Sequence, residues 1–177
     1  MLLYKPECLR HGRPEIEWRM KMAGIETLSW EPLFAMRLDV AYDRAQPVGG
    51  ENKRGIFPVV GGTFEGPRMR GRVLDGGADW VSWRSDGTML IDVRTALETD
   101  DGALISMQYT GLSTPTSPEA AARFARREPG PYEDLYLHTT PRFETAHEKY
   151  EWLNRVITVS NGMRTDDGPL YHVFAIK

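Results

Sequence analysis

Cysteine is almost absent. Cys8 stands alone, so no internal disulfide can form and no CxxC pair exists for a metal or redox centre. No run of Lys or Arg occurs, the net charge is −3 and the pI is about 5.8. The footprint of a nucleic-acid binder is therefore missing. No apolar stretch approaches the ~20 residues that span a bilayer, and residues 1–21 lack the apolar core of a signal peptide. The expectation is a cytoplasmic chain that engages neither nucleic acid nor membrane. His11, His138, His147 and His172 form no HxH or HxxxH pair, so no metal site is expected. Gly61-Gly62 and Gly76-Gly77 fit neither GxGxxG nor the Walker pattern and precede no helix. There is no GxSxG elbow, and Cys8 has no evident base beside it. No motif calls for a cofactor.

What is present is turn punctuation. The 17 Gly and 12 Pro fall between short apolar runs, the pattern of an all-β chain. Strands are expected near 33–42, 56–64, 68–74, 79–85, 88–98, 103–111, 135–139, 156–160 and 170–176. Two short helices interrupt them. Ser117-Pro118-Glu119 caps the run AAARFARR, with Pro118 at the first helical position. Thr145 and Glu148 have capping-box spacing for a helix reaching Trp152. A chain of 177 residues suits one domain. We divide it into an arm, 1–30, and one antiparallel β-barrel domain, 31–177, enclosing a small-molecule cavity. An alternating βαβ pattern is absent, which argues against a Rossmann-type fold. In the arm, Ile16, Trp18, Met20 and Met22 alternate and would suit strand addition to a second copy or to the chain's own barrel; a homo-oligomer, most simply a dimer, is expected.

Asp86-Gly87 and Asp101-Gly102 separate strand-like runs, and Asp-Gly favours two-residue hairpin turns. Two-residue turns would set Ser85 opposite Thr88 and Asp100 opposite Ala103. Asp79, Arg94 and Tyr109 would then form a row across three strands, with Cβ atoms about 4.5–5.5 Å apart between neighbours. A loop longer by one residue breaks that row. The row has two readings. A guanidinium in a dry cavity can clamp an oxyanion, beside a phenol that donates a proton and a carboxylate that accepts one. Alternatively, the row is an ion pair that pins the register. Asp100-Asp101 and Asp166-Asp167 precede Gly and read as turns.

Three stretches together resemble the microbial family known as domain of unknown function 3237. They are GGTFEGPRMRGRVLDGGADW (61–80), DVRTALETDDGALISMQYTG (92–111) and PRFETAHEKYEWLNRV (141–156). The resemblance implies a calycin-like antiparallel barrel, similar in build to the allene oxide cyclase and dirigent barrels. Such proteins guide cyclisation, coupling or isomerisation, typically without an organic cofactor. Asp79 falls in the first stretch, Arg94 in the second, and Glu144, Trp152 and Asn154 in the third.

The reading is a cofactor-independent enzyme of lyase, isomerase or cyclase type acting on a small aromatic or polyketide-like molecule. Asp79, Arg94 and Tyr109 would be its catalytic groups. Trp83, Met107, His138, Phe143, Glu144, Trp152 and Asn154 would contact the ligand. The alternatives are a non-catalytic carrier of lipocalin type and an interaction module with a filled barrel.

Overall fold

The computed structural model describes residues 28–177. The alternating arm residues, Cys8 and His11 lie outside the described residues. Ten strands occur in the order β1 (Trp30–Val40), β2 (Gln46–Gly49), β3 (Arg54–Glu65), β4 (Arg70–Val73), β5 (Gly77–Trp83), β6 (Met89–Thr99), β7 (Leu104–Pro115), β8 (Leu135–Glu144), β9 (Thr158–Thr165) and β10 (Gly168–Ile176). One α-helix, α1 (Pro118–Ala125), lies between β7 and β8, and a 3-10 helix, Glu148–Arg155, lies between β8 and β9. No helix among the described residues is long and apolar enough to cross a membrane.

All pairings are antiparallel and the sheet closes on itself. The ring runs β1-β10-β9-β8-β7-β6. β4 and β5 share the next position, because each pairs with β6 on one side and β3 on the other. β3 then pairs back onto β1. The result is a closed barrel of eight strand positions. At the closing seam the register shifts between Asp39, opposite Gly61, and Val40, opposite Val59, which leaves Val60 as the extra residue beside Gly61-Gly62. A Cβ on Gly62 would collide with the Arg37 carbonyl oxygen, and its φ is +141°. The glycine pair thus lets two backbones approach at a bulge, as expected for a barrel corner.

Both Asp-Gly hairpins differ from expectation by one residue. The Arg84 amide donates to the Thr88 carbonyl at 2.9 Å, and Gly87 N–H donates back to Arg84 at 3.1 Å. Thr99 and Ala103 are joined in the same way, with the amide of Thr99 donating at 3.0 Å and that of Gly102 at 2.8 Å. Each loop therefore holds three residues, ending in a glycine at φ +86° or +85°. A two-residue type I′ turn needs positive φ at Asp as well. Among the described residues only Lys53 and Arg127 are non-glycines with positive φ, so neither aspartate adopts it. Asp86 instead accepts the Thr88 amide through its side chain, at 2.9 Å. This shifts β6 by one residue. Arg94 pairs with Ala78 and Gln108, and the row across the sheet becomes Asp79–Val93–Tyr109.

The helices follow local chemistry. Ser117 accepts the Ala120 amide at 3.0 Å and Pro118 opens α1, as its sequence suggests. The second segment is a 3-10 helix without a side-chain cap. Thr145 does not cap it: its hydroxyl donates to the Leu104 carbonyl at 2.7 Å.

The barrel has a filled end and a hollow end. Phe34 contacts Phe64 and Phe143 at ring separations of 5.4 and 5.8 Å. Leu97, Ile105, Met107, Val173 and Leu153 of the 3-10 helix complete that core. Toward the other end, inward residues of the same strands line an open pocket. Gly62→Ala should cost about 2–4 kcal/mol in urea unfolding, because the new methyl meets backbone in a left-handed position. Gly87→Ala, where nothing lies within 4 Å of the place a methyl would take, should cost only about 1–2 kcal/mol. Equal losses at the two sites would contradict the close approach at the seam.

Candidate functional site

The hollow end encloses about 400 Å³. Its floor is formed by Leu38, Val59, Val93, Tyr109 and Tyr171, all buried. Its walls are largely apolar, with Phe57, Val81, Ile91, Leu135 and Leu137 among them, and α1 contributes Phe124 and Ala125 at the mouth. That volume lies within the range of small-molecule sites, which combine apolar walls with a few polar groups.

Asp79 is the one carboxylate lining this space, and no histidine or cysteine lines it among the described residues. β5 brings it there at a break in the sheet. β5 and β6 are in register at Ala78–Arg94 and Asp79–Val93, and again at Ser82–Leu90 and Trp83–Met89, but not between. In the gap the Asp92 amide donates to Asp79 Oδ1 at 3.2 Å. Burial pushes the Asp79 carboxyl up to about 7. The Asp92 amide opposes that shift, and the Asp92 charge adds to it. Asp79 can thus exchange a proton near neutral pH, where acid–base catalysis works best.

Two phenols meet it from other walls. Tyr109 on β7 and Tyr171 on β10 are 2% and 5% exposed, and their rings lie 5.5 Å apart at a 59° tilt. Burial raises both hydroxyls above the ordinary tyrosine value, and the Asp79 charge adds to the effect. Both stay neutral donors. The Tyr109 and Ser113 hydroxyls are buried and make no hydrogen bond of full geometry among the described residues, although the neighbouring Tyr171 hydroxyl is close enough to Tyr109 to perturb it. An unsatisfied buried hydroxyl costs about 1–3 kcal/mol, so such groups facing a pocket suit hydrogen bonding to a guest.

The rim carries charge. Tyr42, after β1, lies under two guanidiniums, those of Arg127 and Arg164, each 4.9 Å from its ring centre. Arg164 Nη1 donates to the Tyr42 hydroxyl at 3.1 Å, and Arg164 Nε donates to the Arg127 carbonyl at 3.0 Å.

The residues expected from sequence divide. Asp79, Tyr109 and Trp83 line the pocket together. Arg94 does not: the one-residue shift turns it outward, exposed, with its guanidinium 5.9 Å from the Trp80 ring. The expected Asp79–Arg94 contact is corrected accordingly. Met107 and Phe143 belong to the filled end. Asn154 brackets the Thr145 backbone, accepting its amide and donating to its carbonyl at 2.9 Å each, and so fastens the 3-10 helix. Trp152 lies under Arg68, 3.6 Å from the ring centre. Glu144 is exposed at the end of β8. His138 faces outward beside Tyr136, with rings 4.4 Å apart, in a shallow groove on the outer sheet face. Tyr42, Ser113, Arg127, Arg164 and Tyr171 are pocket residues that the sequence reading missed. One signal was available for Tyr171: the β9–β10 register sets it opposite Gly162, which leaves room for an inward ring.

A family model described as "Protein of unknown function (DUF3237)" matches residues 28–176. The chain belongs to the DUF3237 family. A UPF0311 protein of Rhodopseudomonas palustris is 34% identical over 118 residues, 67% of this chain and 76% of that one. A β-barrel-like protein of Acinetobacter baumannii superposes with a TM-score of 0.74 at 36% identity, covering 85% of this chain and 97% of that one. A structure described as an enzyme from Penicillium herquei superposes with a TM-score of 0.63 at 22% identity, over 85% of this chain and 95% of that one. At that identity the likeness concerns the fold alone.

Asp79 has a consequence for stability. Its value rises from 3.8 to about 7 on folding, so the native state holds a proton that the unfolded chain releases across that interval. The associated stability is present below about pH 4 and is lost as pH rises through about 7. Asp79→Asn cannot ionise. Relative to the parent, it should gain about 1–3 kcal/mol more at pH 8 than at pH 5. Thermal unfolding at the two pH values measures this, and a pH-independent difference would contradict a half-buried, protonatable Asp79 in the pocket.

Proposed function

We propose that this DUF3237 barrel is a cofactor-independent acid–base enzyme acting on a small aromatic or polyketide-like molecule, with lyase, isomerase or cyclase chemistry. One observation carries the reading. A carboxyl that titrates near neutral pH shares an apolar pocket with a buried phenol that makes no hydrogen bond of full geometry. Asp79 as carboxylate takes a proton from a C–H or O–H of the substrate. Tyr109, assisted by Tyr171, donates a hydrogen bond to the enolate or phenolate oxygen that develops. Asp79 then returns the proton at another position. Such a cycle moves a double bond, closes a ring or expels a leaving group without a net redox change. Arg94 has no part in it. The existence of an enzyme with this fold in Penicillium herquei supports the barrel as a catalytic frame and says nothing about the reaction here.

A carrier is the second reading, favoured by the predominance of apolar lining. The test is incubation of the purified chain with a panel of aromatic and polyketide-like compounds. Bound species are read by native mass spectrometry and their fate by chromatography. Conversion of a bound compound, reduced at least 100-fold by Asp79→Asn and at least tenfold by Tyr109→Phe with binding retained, is the expected result. Recovery of every bound compound unchanged would replace the enzyme with the carrier.

A further inference from the structure

The acidic groups near the pocket mouth are already engaged. Asp134 holds Arg123 through two hydrogen bonds of 2.7 Å, and Glu128 holds Arg126 at 2.6 and 2.8 Å. Arg127 and Arg164 are left over. Neither forms an ion pair among the described residues, although both line the pocket. Arg164 is half-buried and spends two of its five N–H donors on Tyr42 and the Arg127 carbonyl. The Arg127 guanidinium makes no hydrogen bond among the described residues and is positioned over the Tyr42 ring. Arg164 is fixed by its hydrogen bonds, Arg127 is exposed beside it over the same ring, and a guanidinium pair lacking a carboxylate is arranged to receive an oxyanion.

The backbone under Arg127 points the same way. At the end of α1, the Glu128 amide donates to the Arg123 carbonyl at 3.1 Å and the Arg127 amide to Phe124 at 3.0 Å. These are the two bonds of a Schellman motif, whose left-handed residue is usually glycine. Here it is arginine, at φ +60°. A side chain kept where it strains the backbone invites a functional explanation.

We infer that Arg127 and Arg164 form an anion-receiving lip, and that the pocket's ligand is an apolar molecule bearing a carboxylate or comparable oxyanion. The anionic group sits at the lip over Tyr42, and the apolar body extends inward to Asp79, Tyr109 and Tyr171. The arrangement keeps the negative group at the mouth, away from the carboxylate on the inner wall. The lip is mounted on the segment that follows α1 and on β9, so it also ties the end of the helix across the open end. This inference rests on the pocket being a ligand site.

Two probes with the same aryl body separate charge recognition from pocket occupancy. They are 8-anilinonaphthalene-1-sulfonate, an anion, and N-phenyl-1-naphthylamine, which is neutral. Both are titrated by fluorescence into the full chain at pH 7. Energy transfer from tryptophan reports binding, and Trp83→Phe, which removes the donor that lines the pocket, should reduce it. Arg164→Met should weaken the anion at least tenfold and leave the neutral probe within about twofold, consistent with the loss of a charge-assisted contact. Arg127→Gly should weaken the anion severalfold without lowering the thermal midpoint, since glycine suits the left-handed position. Parallel weakening of both probes would make the arginines a structural brace and overturn the anionic lip, with the pocket reading intact. An unchanged anion affinity in both variants would overturn it equally. If neither probe binds the parent, or Trp83→Phe leaves the transfer unchanged, the pocket reading falls and the lip falls with it.

Discussion

Two hairpin loops of three residues decide which side chains face the barrel interior. Each closes with a glycine in the left-handed region, at Gly87 and Gly102, and each sets the register of the strands it joins. A strand alternates its faces with a period of two residues, so a single-residue change in a loop exchanges inside for outside. With these loops, β6 presents Met89, Ile91, Val93, Thr95 and Leu97 inward, uncharged and apolar except for Thr95, and sends Arg94 out. The charged group that remains inside is Asp79, and the low polarity around it follows from the same register. Its raised proton affinity is thus a consequence of loop length two strand-ends away.

The division of the barrel into filled and hollow halves makes that site tolerable. Along β7, Ile105 and Met107 join the closed core, Tyr109 lies at the floor of the pocket and Ser113 lies higher in its wall. β10 repeats the change, from Val173 in the core to Tyr171 at the floor. The aromatic cluster around Phe34 and the 3-10 helix fastened by Asn154 close one end with apolar contacts. The other end retains hydroxyls without hydrogen bonds of full geometry and a carboxyl that resists ionisation. The packed core and the candidate site are placed in different halves of one continuous sheet, and Tyr109 and Tyr171 mark the boundary.

Much of this was legible in local patterns. Short runs separated by Gly and Pro announced the strands, and Ser117-Pro118 announced α1. Asp79 and Tyr109 emerged from the sequence for an instructive reason. Assuming both loops one residue too short inverts β6 but leaves the relative faces of β5 and β7 unchanged, because the two shifts cancel in parity. The ends of the row therefore keep a common face, while Val93 takes the place expected for Arg94 at its centre. Asp-Gly alone does not distinguish a two-residue turn from a three-residue one, since glycine can supply the left-handed position in either. Tyr42, Arg127 and Arg164 were hidden for another reason. They converge from the β1–β2 connection, the segment after α1 and β9, so only the closed barrel brings them together. Met107, Phe143 and Asn154 sit in the resembling stretches because they build the filled end and its fastening, and a motif by itself does not separate that role from ligand contact.

The proposed chemistry and the pH-dependent stability both turn on the ionisation of Asp79 inside the pocket. The direct measurement is a carbon-13 NMR titration of protein labelled at aspartate side-chain carboxyls, with Asp79→Asn used to assign the resonance. One carboxyl should titrate near 7 and disappear in the variant. A resonance for Asp79 that titrates below about 5, in the ordinary aspartate range, would contradict the central claim.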